Sequence, residues 1–150
     1  MSENEEMHTI SAIVEHKPGV LYSVSNMFRR RGFNIESISV GVAEQKDLAR
    51  MTIAIKGDES TIEQVVKQLK KLIDVVKVSI LDPTNIVTRE LALVKVNTPD
   101  GRARSDVINY TEIFKGHVVD VAHESLIAEI TGDSEKINAF IELMRPLGVK

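Results

Sequence analysis

The chain has 150 residues, of which 43% are hydrophobic and 27% are charged. This composition is typical of a globular protein with a real core, and the length fits one medium domain or two small ones. The formal charge of −3 provides no broad basic field, so nucleic acid is not an expected partner. Because the sequence contains no Cys, disulfides, thiolate catalysis and Cys-based metal sites are excluded.

The start of the chain, MSENEE, lacks the basic residues and the apolar run of a secretory signal. No segment approaches the roughly 20 apolar residues that a membrane span requires. We therefore expect a cytoplasmic protein that makes no membrane contact.

The first half of the chain predicts the order strand, helix, strand, strand, helix, strand. Alternating β-branched residues indicate the strands, and apolar residues three or four positions apart indicate the helices. The predicted elements are strand 7–14, helix 20–31, strand 34–42, strand 50–56, helix 61–72 and strand 75–81.

Three local signals refine these elements. Gly32 follows three Arg residues, which predicts a left-handed C-terminal cap for the first helix. Ser60 and Glu63 have the spacing of a capping box at the start of the second helix. Ile35 is out of phase with the alternation of the following strand, which predicts a bulge near Glu36.

The second half repeats the order of the first, and its helix is again followed by a glycine, Gly116. The predicted elements are strand 89–96, loop 97–104, helix 105–114, strands 118–121 and 126–130, a helix after Gly132 and the beginning of a last strand at 147–150. We therefore predict an α+β chain of two tandem ferredoxin-like βαββαβ units. The predicted division is domain 1–82, linker 83–88 and domain 89–150.

Catalytic patterns are missing from the sequence. It has no phosphate-binding glycine loop, no G-x-S-x-G motif and no pair of His residues at metal-binding spacing. We expect no catalytic residue, no metal and no cofactor in this chain.

The loop from His16 to Gly19 is the strongest candidate for a binding site. Pro18 stiffens this loop, and the backbone amides of Gly19, Val20 and Leu21 open a helix whose positive dipole end attracts a carboxylate. On Pro18 and Gly19 alone, a simple turn is an equally good interpretation.

Asn34 favours the ligand interpretation. Its amide can both donate and accept hydrogen bonds, and in a βαββαβ fold the start of the second strand lies away from the loop after the first strand. A second copy of the chain related by a two-fold axis would bring Asn34 to that loop. We therefore predict a homodimer with shared sites.

Several segments resemble the small subunits of acetolactate synthase, whose first half is an ACT domain. The similar segments in the first half are PGVL at 18–21, RGFNIES at 31–37, ARMTI at 49–53 and GD at 57–58. Those in the second half are RELALVKV at 89–96 and YTEIFKGHVVDV at 110–121. The resemblance implies that the first unit is an ACT domain.

The resemblance also implies a function. Small subunits of this family have no active site; they activate a large, thiamine-diphosphate-dependent catalytic subunit and confer feedback inhibition by valine, leucine or isoleucine. Carried over by position, the effector-binding residues are His16, Gly19, Val20 and Leu21 of one chain with Asn34 and Ile35 of the other. The alternative is an ACT-type amino-acid sensor that regulates a different metabolic enzyme.

Two features depart from the family pattern, and the first loop of the second unit differs from that of the first unit. Many relatives carry Asn where this chain has His16, which is expected to weaken the hydrogen bond to the effector's ammonium group or make it pH-dependent. Relatives usually continue beyond the position of Lys150. The loop 97–105 is rich in Arg and has no Pro-Gly before its helix, so we expect no effector site there and assign the second unit to dimerisation or docking.

Other classes of protein on this topology fit less well. A nucleic-acid-binding sheet needs aromatic side chains for base stacking, and only 4% of the residues are aromatic. A metal chaperone needs a Cys pair, which the chain lacks. An enzyme with an unrecognised His or carboxylate site would form acetolactate without a partner.

Overall fold

The computed structural model describes residues 6–150, and the chain divides into two compact units after Ile86. The elements of unit 1 are β1 (Glu6–Glu15), α1 (Val20–Arg31), β2 (Ser37–Val42), β3 (Leu48–Gly57), α2 (Glu59–Leu69) and β4 (Val75–Leu81). They form an antiparallel sheet in the order β2-β3-β1-β4. The predicted ferredoxin-like order is therefore confirmed for unit 1.

The core of unit 1 lies on the face of the sheet that carries the helices. Directly opposed residues of β1 and β3 point to the same face, so the two alternating apolar sets meet there. The fully buried members of this core are Ile10, Ala12, Val14, Ala49, Met51, Ile53, Ile55, Val24, Phe28, Val65 and Leu69. The period-two and helical patterns of the sequence therefore account for this core.

Strand β2 continues the same face but is not covered. Its residues Ile38, Val40 and Val42 oppose the buried Ile53, Met51 and Ala49 of β3. Their side chains remain between 36% and 73% exposed. The edge of unit 1 therefore presents an apolar row, defined here as Ile38, Val40 and Val42.

The end of α1 follows the prediction. Gly32 has a φ of 70°, and the N–H of Phe33 donates to the carbonyl of Phe28 at 3.1 Å. The ring of Phe33 then meets the ring of Phe28 edge to face, with 6.4 Å between centroids. The left-handed glycine thus turns the chain back onto the core.

Two predictions for unit 1 were wrong. The second helix begins at Glu59 with Asp58 as its N-cap, rather than with a Ser60 capping box, and it ends at Leu69. Strand β2 begins at Ser37 and pairs with β3 without a bulge, and Ile35 lies before it and packs against the core. Ile35 is therefore out of phase with the apolar alternation because the strand begins after it.

Unit 2 has the first five elements in the same order as unit 1. They are β5 (Glu90–Asn97), α3 (Gly101–Ile113), β6 (His117–Val121), β7 (Ser125–Gly132) and α4 (Ser134–Met144). The sheet order is β5-β7-β6, and Val149 bridges Val96 on the free side of β5. The N–H of Lys150 donates to the carbonyl of Lys95 at 2.9 Å, so the predicted start of a last strand is confirmed.

The helix α3 differs from the prediction at both ends. It begins at Gly101, four residues early, because the Asp100 carboxylate accepts from the N–H of Ala103 at 2.8 Å. At the other end the left-handed residue is Lys115, with a φ of 54°, and not Gly116. Gly116 is required for another reason, since a Cβ there would lie 2.6 Å from the carbonyl oxygen of Glu129.

The cap of α2 can be tested by two neighbouring substitutions. Asp58→Ala is expected to lower the melting temperature by several degrees, because the N–H of Thr61 loses its acceptor at 2.8 Å. Ser60→Ala is the matched control and is expected to change little. Equal decreases in the melting temperature of the two variants, measured by thermal unfolding, would contradict this assignment of the cap.

The same cap predicts a pH dependence. The hydroxyl and the N–H of Thr61 hold the pKa of Asp58 below its usual value. A carboxylate of this kind stabilises the fold above its unfolded-state pKa of about 3.9, and the contribution is lost as the pH falls through the folded value. The difference in melting temperature between the parent and Asp58→Ala should therefore narrow below about pH 4.

Candidate functional site

The loop between β1 and α1, His16–Gly19, is held by backbone hydrogen bonds on two sides. The N–H of His16 donates to the carbonyl of Asp47, in the turn between β2 and β3, at 2.8 Å. The N–H of Glu15 donates to the carbonyl of Asp74, in the turn before β4, at 2.9 Å. The position of the loop is therefore fixed by both turns at this end of the sheet.

Lys17 adds a charged contact to the same arrangement. Its ammonium lies 2.6 Å from a carboxylate oxygen of Asp74 and 2.6 Å from one of Glu15. The hydrogen bonds that the ammonium donates to these two carboxylates, that to Asp74 first, raise the pKa of Lys17 above its usual value. Since the Lys17 side chain is half exposed, water screens the pairs, and they position the loop more than they stabilise the fold.

The first turn of α1 leaves its amides open. Gly19 is the N-cap with a φ of 89°, no side chain caps the helix, and its first turn carries no acidic residue. Val20 is buried in the core, whereas Leu21 is about half exposed beside the turn. Uncapped amides at the positive end of a helix dipole suit a carboxylate.

Asn34 and Ile35 lie at the other end of the same unit. β2 begins with Ser37 opposite Ala54, whereas the loop follows Glu15, which is opposite Leu48. At about 3.4 Å per strand residue, these positions are separated by about 20 Å. Asn34 is exposed and lines a separate cleft of about 390 Å³, and Ile35 is half buried against the core.

A single chain thus assembles only part of the predicted site. His16, Gly19, Val20 and Leu21 lie together in the loop and the first turn of α1. Asn34 and Ile35 are not brought to them within the unit.

Asp47 and Asp74 were missed by the sequence analysis, although both hold the loop. Asp47 has a φ of 63°, a conformation in which Asp and Asn are enriched, and this turn chemistry was its only signal. The contribution of Asp74 depends on a contact between residues distant in the sequence, which no local pattern shows.

Two further observations concern the described chain. Among residues 6–150, no cluster of three His, Asp or Glu side chains is placed to hold a metal ion. No helix in that range has the length and apolar character needed to pass through a membrane.

Comparison with known families covers nearly the whole chain. A profile described as an AHAS small subunit-like ACT domain matches residues 10–77, and one described as the small subunit of acetolactate synthase matches residues 89–150. The chain belongs to the acetolactate synthase small-subunit family. Unit 1 therefore has the ACT fold, and the family supports a regulatory role beside a catalytic subunit.

Individual relatives agree with this assignment. A probable acetolactate synthase small subunit of Methanothermobacter thermautotrophicus is 56% identical, over 97% of this chain and 86% of its own length. The acetolactate synthase small subunit of Aquifex aeolicus is 50% identical, over 95% of this chain and 74% of its own length. The crystal structure of the small subunit from Thermotoga maritima is 46% identical and superposes with a TM-score of 0.89, covering 97% and 90% of the two chains.

The left-handed conformation of Gly19 can be tested with a second glycine as the control. Neither Gly19 nor Gly41 has an atom within 4 Å of an added Cβ, but only Gly19 has a positive φ. Gly19→Ala is expected to lower the free energy of unfolding by about 1 kcal/mol, whereas Gly41→Ala is expected to stay within about 0.5 kcal/mol. Equal changes in the free energy of unfolding of the two variants, measured in urea, would show that the backbone at residue 19 leaves the left-handed conformation without cost.

Proposed function

We propose that this chain is the regulatory subunit of acetolactate synthase. It activates a thiamine-diphosphate-dependent catalytic subunit and makes that subunit sensitive to inhibition by valine, leucine or isoleucine. The observation that carries the proposal is that the predicted effector residues lie at opposite ends of one unit, beside an unpaired sheet edge. Pairing of two chains through that edge would bring the two groups of residues together. The family match of residues 89–150 favours this function over regulation of a different enzyme.

Strand β2 is the edge through which two copies would pair. It is the outer strand of its sheet, and its six residues include the exposed apolar row Ile38, Val40 and Val42. An open apolar edge strand is a template for a further strand. A second copy would supply that strand and cover the row.

The direction of pairing decides what the second copy contributes. Around a two-fold axis, two β2 strands run antiparallel, so the start of one lies beside the end of the other. β2 ends at Val42, opposite Ala49, one position from the Leu48–Glu15 pair after which the loop begins. Asn34 of the partner subunit would thus approach the loop of the first.

The combined site has the chemistry of a branched-chain amino acid. The open amides of the first turn of α1 would receive the carboxylate, and the Asn34 side-chain oxygen would accept from the ammonium group. Leu21 and Ile35 would supply apolar contact for the branched side chain. Feedback inhibition further requires that binding at this site and contact with the catalytic subunit be coupled in free energy, which is the thermodynamic requirement for allostery.

Asn34→Ala separates effector response from assembly. In a holoenzyme reconstituted with the catalytic subunit, the variant is expected to activate normally and to weaken valine binding about ten- to a hundredfold, because a hydrogen bond to a charged group is lost. Asn109→Ala, an exposed asparagine of α3, is the matched control. The measurements are acetolactate formation against valine concentration and the heat of valine binding; unchanged inhibition would remove Asn34 from the site.

Val40→Asp tests the shared edge. A carboxylate in the apolar row would be desolvated in the paired sheet, so the variant is expected to be monomeric and to lose valine binding. Ile73→Asp, at a side chain that is 93% exposed in the turn before β4, is the control and should remain dimeric. Sedimentation equilibrium gives the mass, and a dimeric Val40→Asp variant would place the interface elsewhere.

A further inference from the structure

Unit 2 repeats the loop architecture of the candidate effector site. Thr98 is the first residue after β5, as His16 is the first after β1. The N–H of Thr98 donates to the carbonyl of Glu124 at 2.8 Å, which reproduces the bond from His16 to Asp47. Both acceptors directly precede the central strand that follows, β7 or β3, so the two loops are pinned in the same way.

The corrected start of α3 changes the interpretation of this loop. With the helix beginning at Gly101, Pro99 lies two residues before it, as Pro18 lies two residues before Val20. The N-cap differs, since Asp100 caps α3 with its carboxylate and Gly19 leaves α1 uncapped. The expectation that loop 97–105 holds no ligand rested on its Arg residues and on the lack of Pro-Gly before its helix. The structure places Arg102 and Arg104 within α3, so only the lack of Pro-Gly remains of that expectation.

The loop borders a cleft of about 260 Å³. The residues that line it are Thr98, Pro99, Asp100, Gly101, Arg104 and His123. Thr98 is 1% exposed, and its hydroxyl oxygen has no hydrogen-bond partner within the described chain. Nε of Arg104 is also buried without a partner. Buried polar atoms without partners are rare in folded proteins, so two of them beside one cleft indicate a missing polar group.

The charges around the cleft limit what that group can be. Nη2 of Arg104 donates to the carbonyl of Ala122 at 3.0 Å and also to that of His123, which fixes the guanidinium beside the hairpin turn. The Asp100 carboxylate, which also lines the cleft, uses one oxygen to cap α3 and brings a negative charge to the lining. A cation and an anion in one small cleft match a zwitterion better than a simple anion or a simple cation.

We propose that the cleft between the β5–α3 loop and the β6–β7 turn of unit 2 binds a small α-amino acid with a short polar side chain. Arg104 receives the carboxylate, Asp100 receives the ammonium group, and the Thr98 hydroxyl completes the hydrogen bonding. The volume is below the usual range of about 300–1,000 Å³ for drug-sized ligands, and Pro99 is the one apolar side chain of the lining. This site goes beyond the effector site proposed for unit 1 and does not depend on it.

The test uses the full chain carrying Gly19→Asp, whose added carboxylate repels a ligand carboxylate at unit 1. L-Serine is the probe, followed by calorimetry and by amide chemical shifts. Saturable binding with shifts confined to the loop after β5 and the β6–β7 turn is expected. 3-Hydroxypropionate, which lacks the ammonium group, and ethanolamine, which lacks the carboxylate, are expected to bind at least about tenfold more weakly.

Thr98→Val provides a second readout. Replacing an unpartnered buried hydroxyl with a methyl is expected to raise the melting temperature without ligand and to weaken L-serine binding about tenfold, whereas Thr98→Ser should retain binding. No saturable binding of L-serine to the Gly19→Asp chain, or equal binding by Thr98→Val, would overturn the proposal. Loss of L-valine binding by Gly19→Asp is measured on the same samples. The proposal for unit 1 and the proposal for unit 2 can therefore be contradicted independently.

Discussion

The hydrogen bond from the N–H of His16 to the carbonyl of Asp47 fixes where the candidate effector loop lies in unit 1. It ties the end of the central strand β1 to the hairpin that connects β2 and β3. The helix α1 begins four residues later at Val20, and its N-cap Gly19 leaves the first amides without a side-chain cap. A short backbone bond between turns therefore determines where an anion-attracting surface appears.

Unit 2 contains the same contact with different side chains around it. Thr98 and Glu124 occupy the positions of His16 and Asp47, and the bond length is the same. The second helices also begin alike, with Asp58 and Asp133 as N-caps that each accept from the third residue of the helix. The repeat therefore preserves the backbone connections, whereas the side chains at the loop differ.

Much of this fold was predictable because its signals are local and periodic. The alternation along β1 and β3 fixed the buried face, and Gly32 marked the end of α1 through its left-handed conformation. Helix starts were less predictable, since Asp58 and Ser60 are both good caps and the end of the preceding strand selects between them. Asp100 was missed for the same reason, and it displaced the predicted start of α3 by four residues.

The candidate site was predictable only in part, because its elements lie far apart in the sequence. The loop carries its own signal in Pro18 and Gly19, and the direction of β2 relates Asn34 to it. The Asp74 contacts that hold Lys17 and Glu15 arise from tertiary structure and have no local signature.

The separation of about 20 Å between the start of β2, which follows Asn34, and the loop in one subunit has a consequence for how a cell could use this chain. If each pocket is completed by a second molecule, sensing becomes a question of mass action. At protein concentrations below the dissociation constant of the dimer, a correctly folded chain would not bind its effector. The abundance of the subunit would then set the threshold at which feedback begins.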